Sequence, residues 1–176
     1  MTRDFFDAAA KRHSRRVFTF ASYLLGDAGE AEDVTQEVLI KLWTHGREIE
    51  PDRLGAWLLT VTRNACTDVL RRRQRSARVI PIRRDSSLPA DPPSAEPSPE
   101  SRAAGSQLGS RIVRALGELS EPARSVVVLR EIQGLSYREI SEILEMRMST
   151  LKVTLHRARR KLRESLKGAE AHVVNG

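Results

Sequence analysis

The chain has 176 residues, of which 40% are hydrophobic but only 5% aromatic and 30% charged; this aliphatic content suits packed amphipathic helices better than a β-sandwich. Its 30 Lys and Arg against 23 Asp and Glu leave a net charge of +7, which favours a polyanionic partner, nucleic acid first. No apolar run approaches the roughly 18 residues needed to span a bilayer, and the charged stretch Met1 to Lys11 lacks the apolar core of a signal peptide, so a cytoplasmic protein without membrane insertion is expected.

Val17, Phe20, Ala21, Leu24 and Leu25 recur at helical spacing and predict a first helix, with Gly26-Asp27-Ala28-Gly29 as stop and turn. A second helix is expected from near Glu30, with the stripe Ala31, Val34, Val38, Leu39 and Leu42 and acids decorating its first two turns. A third opens after Pro51, runs through Leu54, Trp57, Leu58, Val61, Ala65 and Val69, and ends in the basic run Arg71-Arg72-Arg73-Gln74-Arg75. Trp57 and Cys66 fall in this pattern as core residues. Six of the eight prolines then cluster between residues 79 and 107 among Ser, Ala and charges, a composition that buries too little apolar surface to offset its ordering entropy; it reads as a flexible linker.

Beyond the linker, Leu108, Ile112 and Leu116 predict a short helix, and Ser120 is placed as the cap of a second, with Pro122 in its first turn and Gly134 at its end. Ser136-Tyr137-Arg138-Glu139 is a capping box opening a third helix with Ile140, Ile143 and Leu144. After a four-residue break Ser149 is expected to cap the last helix, whose stripe is Leu151, Leu155, Ala158, Leu162 and Leu166. The fold class is therefore all-α: two small helical domains, residues 1–78 and 108–167, joined by the linker 79–107 and followed by a polar tail, 168–176, too short for a sensing domain. A single cysteine excludes an internal disulfide, and His13, His45, His156 and His172 show no metal-ligand spacing, so no metal or cofactor is expected. No Ser/His/Asp, Cys/His or metal cluster stands at workable spacing either, which argues against an enzyme.

Two short helices joined by a tight turn, the second apolar on one face and basic on the other, describe a helix-turn-helix. The outward face carries Lys152, Val153, His156, Arg157, Arg159, Arg160 and Arg163. Recognition helices read base edges with their N-terminal residues and hold phosphates with later cations, so Lys152, Val153 and His156 are candidates for specificity and Arg157 and Arg160 for anchoring. A merely solvated basic helix is the alternative.

The run LSYREISEILEMRMSTLKVTLHRARRKLRE resembles region 4.2 of the sigma-70 family, in its two-domain extracytoplasmic-function group, and GDAGEAEDVTQEVLIKLW and LGAWLLTVTRNACTDVLRRRQR resemble that group's regions 2.2 and 2.3 to 2.4. Three segments in the right order around a linker make a specific match. The resemblance implies a promoter-recognition subunit that binds core RNA polymerase, on its β′ coiled coil and β subunit, and promoter DNA, stays monomeric when free, and is held by an anti-sigma factor. Asp33, Gln36 and Glu37 occupy the positions that dock on the β′ coiled coil, and their spacing puts them on one helical face; acids that only complement the helix dipole would explain Asp33 but reach Glu37 poorly. Arg63 and Asn64 lie on the expected reader of the minus 10 element. Asn64 matches a position placed in the pocket for a flipped base, whose edge an amide can bond. Arg71, Arg72, Arg73 and Arg75 are expected to track phosphates.

The sequence departs from the family at the helix-turn-helix, where Glu145, Arg147 and Ser149 stand in place of a common Gly, Pro and Gly. A left-handed Glu145 carries strain of about 1 kcal/mol, and the turn is expected to be looser or differently shaped. Val153 and Thr154 replace a frequent Ser and Arg, so the minus 35 sequence does not transfer from relatives. A stand-alone helix-turn-helix regulator and a sigma-like decoy that sequesters a regulator stay open as alternatives.

Overall fold

The computed structural model describes residues 2–77 and 109–173, so the linker expected at 79–107 lies outside the described residues. Among those described, the architecture is helical throughout. Helix α1 spans Arg3–Leu25, α2 Ala28–His45 and α3 Leu54–Ala77, with short 3₁₀ turns Gly46–Glu48 and Pro51–Arg53 between the last two. After the linker come α4 over 109–117, α5 over Glu121–Val127, which continues as a π-helical turn Val128–Ile132, then α6 over Tyr137–Ile143 and α7 over Met148–Val173.

Local chemistry sets these boundaries. Gly26 adopts φ 65°, the left-handed conformation that glycine takes without a Cβ penalty, and its N–H donates to Ser22 O to close α1. Asp27 then caps α2 by accepting from the Glu30 N–H, so the second helix starts two residues earlier than the Gly-rich turn suggested. Ser136 and Glu139 form the expected reciprocal capping box. Ser120 stands at the cap of α5, but its hydroxyl makes no capping bond. Ser149 is not a cap at all: Leu151 N donates to Arg147 O, and the last helix begins at Met148, which leaves Ser149 inside its first turn. That helix also continues through Val173, where a polar tail was expected.

Helices α1 to α3 pack around Val17, Phe20, Leu24, Val34, Val38, Leu42, Leu58 and Leu59, all 2% exposed or less. Trp57 leans on this cluster from its rim, and Cys66 is fully buried in it. Burial pushes the Cys66 thiol well above its ordinary pKa, so it stays an inert neutral core residue. The second half packs Leu116, Val126, Leu129, Ile140, Ile143, Leu151 and Leu155 in the same way. The two cores merge into one contiguous cluster. Sequence leaves the placement of the two domains open; the structure sets α1 against α5 and its π-helical turn, and α3 against α6.

Candidate nucleic-acid and polymerase interfaces

The stripe Ala31, Val34, Val38 and Leu42 turns inward, which carries Asp33, Gln36 and Glu37 to the solvent face of α2. Glu37 pairs with Lys41 at 2.7 Å, a surface contact one helical turn long. The same face continues in a direction the sequence reading did not follow: Ile40 is 64% exposed and Trp43 46%, with the Trp43 ring edge-on to Phe6 at 5.2 Å. Three- and four-residue steps join Asp33, Glu37, Ile40 and Trp43 into one strip, acidic at one end and apolar at the other. The signal was available, since Ile40 stands off the apolar stripe and has no core to enter.

On α3 the residues assigned to the minus 10 element come together. Arg63, Asn64, Thr67, Asp68 and Arg71 line one surface hollow. Asn64 is exposed, as are Arg71, Arg72 and Arg75, and Arg71 lies 3.6 Å from Asp68. Arg73 differs from its neighbours. Its side chain is 12% exposed, pairs with the Glu30 carboxylate and donates at 2.7 Å to Leu25 O. This guanidinium ties the end of α3 to the α1–α2 corner, and its position does not favour the phosphate role expected of it. Arg63 is also engaged: its Nε and Nη2 donate to the two carboxylate oxygens of Glu121 at 3.0 and 3.3 Å. Glu121 was not singled out from sequence, because its partner lies in the other domain.

The helix-turn-helix is assembled by α6, the turn and α7. Glu145 takes φ 50°, the only positive φ at a non-glycine among the described residues. The turn is clipped rather than loose: the Ser141 hydroxyl donates to Met146 O at 2.6 Å, and Met146 N donates back to Ser141 O at 3.0 Å. Hydrogen bonds from the Ser136 hydroxyl and backbone lower the Glu139 pKa and keep the cap charged. With Leu151, Leu155 and Ala158 buried, Lys152, Val153, His156, Arg157 and Arg160 all face outward, Val153 being 49% exposed. Arg159 lies to the side, its Nε 2.9 Å from the Glu131 carboxylate. The exposed set offers two cations beyond the first turn for phosphates and an apolar and a polar side chain nearer the N-terminus for base edges.

Comparison with known proteins places both halves. The family model of sigma-70 region 2 matches residues 9–76 and that of sigma-70 region 4 matches residues 110–162. The extracytoplasmic-function RNA polymerase sigma factor SigE of Mycolicibacterium smegmatis is 36% identical over 91% of this chain, which spans 61% of that relative's length. RNA polymerase sigma factor CarQ of Myxococcus xanthus is 30% identical, with 98% of this chain and 95% of CarQ covered. Among solved structures, the sigma factor RpoE in complex with the anti-sigma factor NepR from Bartonella quintana superposes with TM-score 0.75 at 26% identity, over 94% of this chain and 98% of that one. Two regions matched in order and a relative aligned nearly end to end decide the matter: the chain belongs to the sigma-70 family of RNA polymerase sigma factors, in the extracytoplasmic-function group.

Proposed function

We propose that this chain is a dissociable promoter-recognition subunit, regulatory rather than enzymatic, that acts in the cytoplasm. Its first domain, residues 1–78, binds core RNA polymerase through the strip Asp33, Gln36, Glu37 and Ile40 and reads the minus 10 element with Arg63, Asn64 and the cations Arg71, Arg72 and Arg75. Its second domain, residues 108–167, reads the minus 35 element with Lys152, Val153 and His156 and holds phosphates with Arg157 and Arg160. The observation that carries this reading is the coexistence of an exposed acidic strip on α2 and an exposed basic face on α7, each in the region whose family model matches. A stand-alone DNA-binding regulator has no use for the first of these. The solved relative bound to an anti-sigma factor supports a similar inhibitory partner for this chain.

Co-elution with core polymerase tests it. The wild-type chain should co-elute, while Asp33→Lys, Glu37→Lys and Ile40→Asp should each weaken association by about tenfold or more. Because these side chains are exposed, their thermal stability should match the wild type. Tight duplex binding by the chain alone, with no association with core, would assign it to the stand-alone regulators instead.

A further inference from the structure

The polar clasp between the two halves satisfies most of its cations. Arg63 is held by Glu121, and Arg124 donates to the Leu116, Gly117 and Leu119 carbonyls of its own domain and reaches across to Leu24 O at the end of α1. The basic cluster on α1 is different. Lys11, Arg12, Arg15 and Arg16 stand within six residues, and no acid occurs between Ala8 and Gly26. Asp7, one turn before Lys11, pairs with Arg3. Among the described residues no carboxylate pairs with Arg12 or Arg16. Arg16 Nε donates instead to the neutral Gln133 side-chain oxygen at 2.9 Å, and the Gln133 amide donates back to Arg16 O at 2.9 Å. The acids of the facing segment are committed elsewhere, Glu131 to Arg159 and Glu139 to the Ser136 cap. Arg12 stands three and four residues from Arg15 and Arg16, spacings at which like charges on a helix repel and oppose its formation. The fold keeps them together and leaves a concentrated positive field on one face of α1.

That face borders a hollow. Arg12, Arg15, Arg16 and Thr19 of α1, with Ile132 and Gln133 at the end of the π-helical turn, line a surface concavity of about 280 Å³, close to the smaller sites that take small molecules. Guanidinium forks bond phosphate oxygens in pairs. Arg12 to Arg16 covers about 6 Å of helix axis, a span suited to two linked phosphates rather than one. Thr19 continues the same face with a hydroxyl, and Ile132, 38% exposed, gives the hollow one apolar wall. A nucleic-acid backbone calls for a track of cations, but α1 carries none beyond Arg16, so the charge is compact. We propose that this hollow binds a small ligand with two linked phosphate groups, such as the diphosphate end of a nucleotide, held by Arg12, Arg15 and Arg16 with Thr19 and walled on one side by Ile132. The proposal does not depend on the promoter contacts assigned above.

The test titrates inorganic pyrophosphate, inorganic phosphate and ADP into the full-length chain by calorimetry, at constant ionic strength so that screening is the same throughout. Pyrophosphate and ADP should bind one per chain and about tenfold tighter than phosphate. Arg12→Gln should weaken both by about tenfold, whereas Arg47→Gln, which removes an exposed positive charge elsewhere, should leave them unchanged. His13 is a reporter inside the cluster. Its pKa is held low by burial and then by the charges of Arg12 and Arg16, so a bound diphosphate should raise it in an NMR titration while the ring signals of His45 and His156 stay in place. Binding that does not saturate, equal weakening by Arg47→Gln, or movement of His156 on the recognition helix in place of His13 would show diffuse association with basic surface and overturn the proposal. So would an Arg12→Gln chain that keeps its pyrophosphate affinity but loses affinity for duplex DNA, since the cluster would then serve the nucleic-acid backbone.

Discussion

Glu145 shows how one backbone angle shapes a reading element. Its φ of 50° reverses the chain between α6 and α7, and an L-residue there costs on the order of 1 kcal/mol that glycine avoids. Glu145 is exposed and its carboxylate lines no core, so nothing offsets that cost through packing. Glu145→Gly should therefore raise stability by up to about 1 kcal/mol, read as a higher melting temperature, with duplex binding by the helix-turn-helix preserved because the Ser141–Met146 clip remains. An unchanged or lower melting temperature would show that the turn is unstrained. The left-handed position was signalled through the resemblance alone, by the glycine that relatives commonly carry where Glu145 stands. Arg73 was not. In a run of arginines every position looks alike, but successive residues on a helix turn by about 100°, and that rotation points Arg73 at Glu30 and Leu25 O while Arg72 and Arg75 stay in solvent.

At the level of helices, periodicity located each apolar stripe because burial enforces it, and the recognition helix presents the outward face its pattern implied. Ends were less legible. Asp27 and Arg147 open their helices where Ala28–Gly29 and Ser149 had suggested other starts, because a cap is decided by which residue turns out of the helix, not by side-chain type alone. Packing between helices adds a titration that no stripe reveals. His13 on α1 lies against Gly55 on α3, where an added Cβ would stand 3.4 Å from its ring. Burial lowers its pKa below the ordinary histidine value of about 6.5, and the positive charges of Arg12 and Arg16 lower it further. The unfolded chain thus takes up this proton at higher pH than the folded one, so the stability due to neutral His13 is complete above pH 6.5 and is lost as pH falls toward the lower folded value. The melting temperature of the wild type should drop between pH 7 and pH 5 by more than that of His13→Gln; parallel pH profiles would place the loss elsewhere.

For the whole molecule, no pattern in the sequence relates the two halves, because the residues that join them, Arg63 with Glu121 and Arg16 with Gln133, are far apart along the chain and share no periodicity. Both tryptophans, Trp43 and Trp57, belong to the first domain, so their fluorescence reports on that domain alone. Circular dichroism reports on helices of both. Independent domains of this size would melt separately, each with its own midpoint. A shared apolar cluster and a polar clasp couple them instead, and unfolding either half then exposes surface on the other. Fluorescence and circular dichroism should accordingly trace one coincident thermal transition in the wild type. In Glu121→Ala/Arg124→Ala the dichroism curve should broaden or split while fluorescence keeps a single step, since the first domain retains its own core around Phe20 and Leu58. Separate midpoints in the wild type would mean that the merged core contributes little, and the domains would then behave as independent units on a tether.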